Sequence, residues 1–169
     1  MLGQMQDWPL LVSKFLEHAA VNHPNREILS MLPEGGEFRY DYSRLSVRAK
    51  KCSQALARLG VEQGDRVATL AWNTHRHMEI WFGASGMGAV THTVNPRLFP
   101  EQLIYILNHA EDKVLMLDIT FVPLIEKVAP MLDTIKHYVI MVGKDHMPET
   151  SLVGALSYEE LIEAEDGEY

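Results

Sequence analysis

Few residues of this sequence have the types and spacing that chemistry requires. Gly83-Ala84-Ser85-Gly86-Met87-Gly88 is a glycine cluster in a strand-and-helix context, where a phosphate cradle belongs between a strand's end and a helix's start. Here it falls after a helix and before a strand, with its spacing reversed relative to GxGxxG, so helix packing and a C-terminal cap are the preferred reading. A P-loop signature is absent. His75 and His77 share a local HxH, but on a helix they point about 200° apart, and no metal site is expected from them. His92 lies in a strand-like segment, Val90 to Val94, where a packed or hydrogen-bonded imidazole is expected rather than a catalytic one. Cys52 sits in the apolar stripe of its helix and reads as a buried structural thiol, not a nucleophile. Asn95-Pro96-Arg97-Leu98-Phe99-Pro100 leaves a strand, turns and starts a helix, presenting Arg97 at the carboxyl end of a strand, where open α/β sheets bind ligands. Arg97 there would bind an anion or hold a neighbouring carboxylate, and the structural role is preferred. Arg44, Arg48, Lys51 and Arg58 line one side of a helix, which reads as a solvated edge before it reads as a surface for an acidic partner. No catalytic, cofactor-binding or metal-binding residue is assigned.

The elements that would position these residues follow from periodicity. Trp8 to His23 reads as a helix, with Val12, Phe15, Leu16, Ala19 and Ala20 on one apolar face. Ile28 to Leu32 and Glu37 to Tyr40 flank Pro33-Glu34-Gly35-Gly36 as a hairpin. Asp41 caps a helix running to Leu59, whose buried stripe is Leu45, Ala49, Cys52, Leu56 and Leu59. Gly60 ends it. From Arg66 the pattern alternates: strand Arg66 to Ala71, helix Thr74 to Met87, strand Val90 to Val94, a helix opened by Pro100, strand Val114 to Asp118, helix Thr120 to Leu132 and strand Tyr138 to Val142. The continuous apolar runs at Val114 to Leu117 and Tyr138 to Val142 suit strands covered on both faces. The fold class is α/β, three-layered, with a mostly parallel sheet flanked by helices. Residues 1–145 are expected to form this α/β unit, and 146–169 an acidic connecting segment. That segment carries one short helix, Tyr158 to Ala164, with Ser157 and Glu160 at capping-box spacing.

Composition narrows the function classes. The chain has 169 residues, 47% hydrophobic and 22% charged, enough for a real core and unlike a disordered or coiled-coil chain. Its net charge is −8, yet seven of its acids lie between Glu149 and Tyr169, leaving residues 1–148 with 15 basic and 16 acidic groups. Without a basic excess no nucleic-acid partner is expected. One cysteine rules out a disulfide framework or a multi-cysteine zinc site. No apolar run approaches the ~20 residues of a membrane span, and no secretory signal opens the chain, so cytoplasmic residence is expected.

The run from Asn73 to Leu115, above all His92-Thr93-Val94-Asn95-Pro96-Arg97-Leu98, resembles the N-terminal region of medium- and long-chain fatty acyl-CoA synthetases of the adenylate-forming, AMP-binding superfamily. Asp41-Tyr42-Ser43-Arg44-Leu45 is similar to that family's Thr-Tyr-x-Glu-Leu, and Gly64-Asp65-Arg66-Val67 to its Gly-Asp-Arg-Val. The resemblance runs from about Trp8 to Tyr169. Arg44 stands where the family has Glu, which leaves Asp41 to cap alone. The resemblance implies an N-terminal part of the large domain and a two-step reaction: a fatty acid attacks ATP to give acyl-adenylate and pyrophosphate, then coenzyme A displaces AMP. ATP, Mg²⁺ and CoA are the cofactors implied for the full-length enzyme. The family's Ser/Thr/Gly-rich phosphate loop, its aromatic-Gly-x-Thr-Glu segment and its C-terminal lid are not in this chain. The resemblance therefore implies an inactive N-terminal fragment with no bound cofactor, whose exposed surface would favour a homodimer or other self-association. The alternative is a free-standing α/β binding or assembly module without catalysis.

Overall fold

The computed structural model, which describes residue 3 and residues 7–168, turns the apolar runs of the sequence into the middle of a parallel sheet. In chain order the elements are α1 (Ser13–Asn22), β1 (Glu27–Met31), β2 (Glu37–Asp41), α2 (Tyr42–Arg58), β3 (Arg66–Leu70), α3 (His75–Gly86) and β4 (Val90–Thr93). They continue with α4 (Pro100–His109), β5 (Asp112–Leu117), α5 (Val122–Val128), β6 (His137–Ile140), β7 (Leu156–Ser157) and α6 (Tyr158–Glu163). Strands β3 to β7 form one sheet in the order β4-β3-β5-β6-β7, every neighbouring pair parallel. Strands β1 and β2 form a separate antiparallel hairpin, in which Ile28 faces Tyr40. Its tip needs positive φ at two successive residues, and Gly35 and Gly36 supply it at 104° and 81°.

Both faces of the large sheet are covered, as the apolar runs require. On one side α2, α3 and α6 bring Cys52, Leu56, Ile80, Ala84, Tyr158 and Ile162 onto Val67, Val114, Met116 and Val139. On the other α4 and α5 bring Leu103, Leu107, Val122, Ile125 and Val128 onto Ala68, Leu70, Leu115, Leu117 and Ile140. A smaller cluster of Leu16, Tyr40, Leu45 and Ala49 joins the hairpin and α1 to α2. The expected three layers are therefore present. Asp41 caps α2 as expected, accepting the Arg44 amide at 2.9 Å.

Three expectations change. Helix α1 starts at Ser13, five residues late, because the chain enters through a turn in which the Leu11 amide reaches the Pro9 carbonyl at 3.1 Å, while Trp8 lies under the Lys14 ammonium. Of its apolar face only Leu16 is buried, and Phe15 is 64% exposed. The helix expected from Thr120 to Leu132 is split into a 3₁₀ turn, α5 and a second 3₁₀ turn; Pro123 opens α5, and Pro130, which has no N–H to donate, ends α-helical hydrogen bonding. The acidic segment beyond residue 145 contributes β7 as well as its helix: Leu156 and Ser157 pair with Val139 and Ile140. Tyr158 and Ile162 are buried behind the sheet.

Close approach of α2 and α3 depends on Gly83. A methyl there would stand 2.7 Å from the Ala49 carbonyl oxygen and 2.9 Å from the Cys52 Cβ, whereas at Gly86 nothing lies within 4 Å. Gly83→Ala is expected to destabilise the fold by about 1–3 kcal/mol through overpacking, and Gly86→Ala to stabilise it by about 0.5 kcal/mol through unfolded-state entropy. Chemical denaturation reads both, and changes of the same sign would refute the close-approach account.

Candidate functional site

The strand order reverses at β3, whose successor β4 lies on one side and β5 on the other. This is the place where an open α/β sheet gathers its ligand-facing residues, beyond the carboxyl ends of the strands. What collects beside it is a buried set of charges. Arg76 and Glu79 lie on the inward face of α3 with Ile80 and Gly83, and both are almost wholly buried. Arg76 donates from Nε to Glu159 Oε1 and from Nη1 to Glu34 Oε1 and the Met141 carbonyl, each at 2.7 Å. Arg48, on α2, donates from Nε to Glu79 Oε1 at 2.7 Å and from Nη2 to Glu159 Oε2 at 2.8 Å. The Tyr158 hydroxyl donates to the second Glu79 oxygen at 3.0 Å. Burial works against the Glu159 carboxylate, but the His75 imidazole beside it and the two guanidinium groups outweigh that and hold its pKa well below the usual carboxylate range.

Asp118, at the carboxyl end of β5, is fully buried. Its Oδ2 accepts the Trp72 amide from the end of β3, while Oδ1 has no partner. Burial pushes its carboxyl up to about 6, against the opposing Trp72 amide. The Trp72 indole donates to Thr120 Oγ1 at 3.0 Å and packs on Phe121. The buried charges and Asp118 escaped the sequence reading. The legible signal was the spacing of Arg76 and Glu79 with Ile80 and Gly83, which puts two charges on a face that has to pack.

The residues singled out from sequence separate in space. His75 stacks on Phe38 at 4.1 Å, with Nε2 3.7 Å from Glu159 Oε1, beyond hydrogen-bond distance. His77 turns to Thr69, its Nε2 3.0 Å from the hydroxyl, and burial lowers its pKa. His92 is hydrogen-bonded as expected, Nδ1 2.6 Å from Asp112 Oδ2. Cys52 is buried between α2 and its neighbours, its thiol pushed up to about 12 by burial, so at neutral pH it is a protonated packing group. Gly88, at φ 85°, follows the end of α3 as a C-terminal cap. Asn95 accepts the Arg97 amide at 2.9 Å, which fixes the turn that carries Arg97. The basic edge of α2 is not simply solvated: besides the Arg48 contacts, Arg58 meets Glu165 at 2.9 Å and the Leu161 carbonyl at 3.0 Å. Gln54 binds Asp166 at 2.6 Å. The acidic partner of this edge is the chain's own C-terminal segment.

A model of the AMP-binding enzyme family matches residues 16–165. The chain is 44% identical over 169 residues to a 3-methylmercaptopropionyl-CoA ligase of Ruegeria lacuscaerulensis, covering 100% of this chain and 31% of that protein. It is 46% identical over 158 residues to a long-chain-fatty-acid–CoA ligase of Thermus thermophilus, covering 94% of this chain and 28% of that protein. Among solved structures it resembles an anthranilate CoA ligase in complex with anthranoyl-AMP, with a TM-score of 0.81 at 26% identity over 98% of this chain and 31% of that one. The chain thus spans about a third of the length of the curated relatives it matches.

Asp118 gives the region a pH signature. An acid with a raised folded-state pKa stabilises the fold below its unfolded value, about 3.9, and that contribution is lost as pH rises through about 6. Asp118→Asn keeps an oxygen for the Trp72 amide and removes the charge. Relative to the parent chain, the variant is expected to gain about 2–3 kcal/mol between about pH 4 and about pH 7.5, read from guanidinium unfolding at both. A pH-independent difference would show that Asp118 does not titrate in this range.

Proposed function

The chain belongs to the AMP-binding enzyme family, and on that premise we propose that it is the N-terminal part of an ATP-dependent fatty acid–CoA ligase. The observation that carries this reading is the 44% identity to a CoA ligase along all 169 residues. A fatty acid as the substrate is supported by the 46% identity to a long-chain-fatty-acid–CoA ligase. In the reaction a carboxylate oxygen attacks the α-phosphorus of ATP, pyrophosphate leaves, and the CoA thiol then displaces AMP from the acyl-adenylate. Such chemistry needs fixed donors around the phosphates and a carboxylate for Mg²⁺.

The residues of this chain do not fit those roles. Among the described residues no three His, Cys, Asp or Glu side chains gather to hold a metal ion, and within the 83–88 cluster Gly83 serves packing and Gly88 capping. No step of the reaction is assigned to them. The chain's part is to supply the sheet and the buried charges that fix its rim, against which the rest of the enzyme would close. A free-standing binding module has no specific observation in its favour.

The enzyme is placed in the cytoplasm, where ATP and CoA are available, and it is read as a homodimer. Both faces of the sheet are covered, so the dimer reading leans instead on the apolar side chains left exposed on and beside α1 and the hairpin: Leu10 at 88%, Phe15 at 64% and Met31 at 67%. Among the described residues no helix is long and apolar enough to cross a membrane.

Incubated with ATP, Mg²⁺, CoA and a series of fatty acids, the chain alone is expected to form no acyl-CoA. A longer protein carrying it is expected to release AMP and pyrophosphate one for one with acyl-CoA. Product from the chain alone would overturn its supporting role. A longer protein that activates none of the acids would overturn the ligase reading.

A further inference from the structure

The basic edge of α2 has a part that the acidic C-terminal segment leaves unmatched. Arg44, Arg48 and Lys51 stand at i, i+4 and i+7 and so share one face of the helix. All three line a groove of about 290 Å³ between α2 and the last turn of α6, with Val47 and Ile162 as its apolar lining and Ser43 and Glu163 as its other polar residues. The ion pairs of α2 are those of Arg48 with Glu79 and Glu159 and of Arg58 with Glu165; among the described residues Arg44 and Lys51 enter none. Arg48 is held by its two carboxylates through Nε and Nη2, which leaves Nη1 without a partner among the described residues. The stem of Lys51 is braced by the C-terminal segment, where Gly167 packs so closely that an added Cβ would stand 3.3 Å from the Lys51 Cγ. Asp166, the acid that feels Lys51, is taken up by Gln54 at 2.6 Å. Arg44 stands in the first turn of α2, where a cation opposes the helix dipole and where the family pattern carries Glu. Its amide meets the Asp41 cap, a contact that any side chain at this position would allow. Helix formation therefore gives no reason for an arginine here.

Two cations without a partner carboxylate, one turn to either side of a guanidinium already held in place, match a compact dianion in charge. A groove just under the roughly 300 Å³ at which small-molecule pockets begin suits an ion and not a coenzyme. Donors arriving from three side chains suit a tetrahedral anion, whose oxygens point apart, better than a planar carboxylate, which a single arginine fork satisfies. We propose that this groove binds inorganic phosphate as the dianion, held by Arg48 Nη1, the Arg44 guanidinium and the Lys51 ammonium. Because Arg48 also holds Glu79 and Glu159, the bound ion braces α2 against α6. The inference stands on the chemistry of the groove and not on the ligase reading.

Isothermal titration of the chain with sodium phosphate at about pH 8, where the dianion dominates, tests the site at an ionic strength held constant with sodium chloride. One saturable site is expected, and past saturation the thermal unfolding midpoint is expected to rise with the logarithm of phosphate concentration. Arg44→Glu and Lys51→Gln are each expected to weaken phosphate about tenfold, since each removes a charge-assisted hydrogen bond. Lys127→Gln, on α5, removes the same charge elsewhere and is expected to change nothing. Each variant's melting in chloride alone separates lost binding from lost fold. Sulfate, of like shape, is expected to compete, and succinate, a dianion with planar ends, to bind several-fold more weakly. Absence of a saturable site, an equal rise in chloride, equal losses in Arg44→Glu and Lys127→Gln, or succinate as tight as phosphate would each overturn the proposal. No fatty acid, ATP or CoA is present, so failure here leaves the ligase reading standing, and failure of the ligase assay leaves this site standing.

Discussion

The carboxylate of Glu159 lies between two guanidinium groups, with Arg76 on one oxygen and Arg48 on the other, and four elements meet through that contact. Arg48 belongs to α2, Arg76 to α3, Glu159 to α6, and Glu34 brings in the turn of the hairpin. Removing two cations and three carboxylates from water is expensive, and their mutual attraction offsets the cost only because nearly every lone pair is met. The Tyr158 hydroxyl and the Met141 carbonyl fill positions that water would otherwise occupy. A single deletion in such a set strands a buried charge at a cost of roughly 3–5 kcal/mol. What the arrangement supplies is therefore less net stability than geometry: three helices and a hairpin locked in one register over the carboxyl ends of the strands.

How much of this was legible depends on range. Local periodicity made α2, β3, α3 and β5 readable to within two or three residues at each end, because buried stripes and apolar runs report which residues share a face. The same periodicity misled at α1, where a helical face exists but little packs on it; spacing tells which side chains align and not whether anything covers them. Strand β7 is two residues long, and its partner β6 lies well upstream, so nothing local announced it. The site was harder still. Arg76 and Glu79 were passed over although their spacing with Ile80 and Gly83 puts them on a face that has to pack, and Glu159 was one acid in a run with Glu160 and Glu163. Only its pairing with side chains 83 and 111 residues earlier distinguishes it.

Charge distribution changes meaning in the same light. The sequence holds a basic helix edge and an acidic C-terminal stretch that look like separate surface features. In the fold they are one contact, running from Arg48 with Glu159 to Arg58 with Glu165 and Gln54 with Asp166. Surface pairs of this kind contribute little each, but these continue a buried network and so extend its register along α2.

Strand order also dictates a timetable. A chain made from its N-terminus can pair β3 with β4 and then β5 as soon as those segments emerge, and β6 and β7 then add outward along a single edge. Glu159 arrives only after all of them. Until it does, Arg48 has Glu79 and Arg76 has Glu34, each with one of its two eventual carboxylate partners. The hydrophobic layers can thus settle while the polar rim is still adjustable, and the first turn of α6 closes it like a keystone set after the arch.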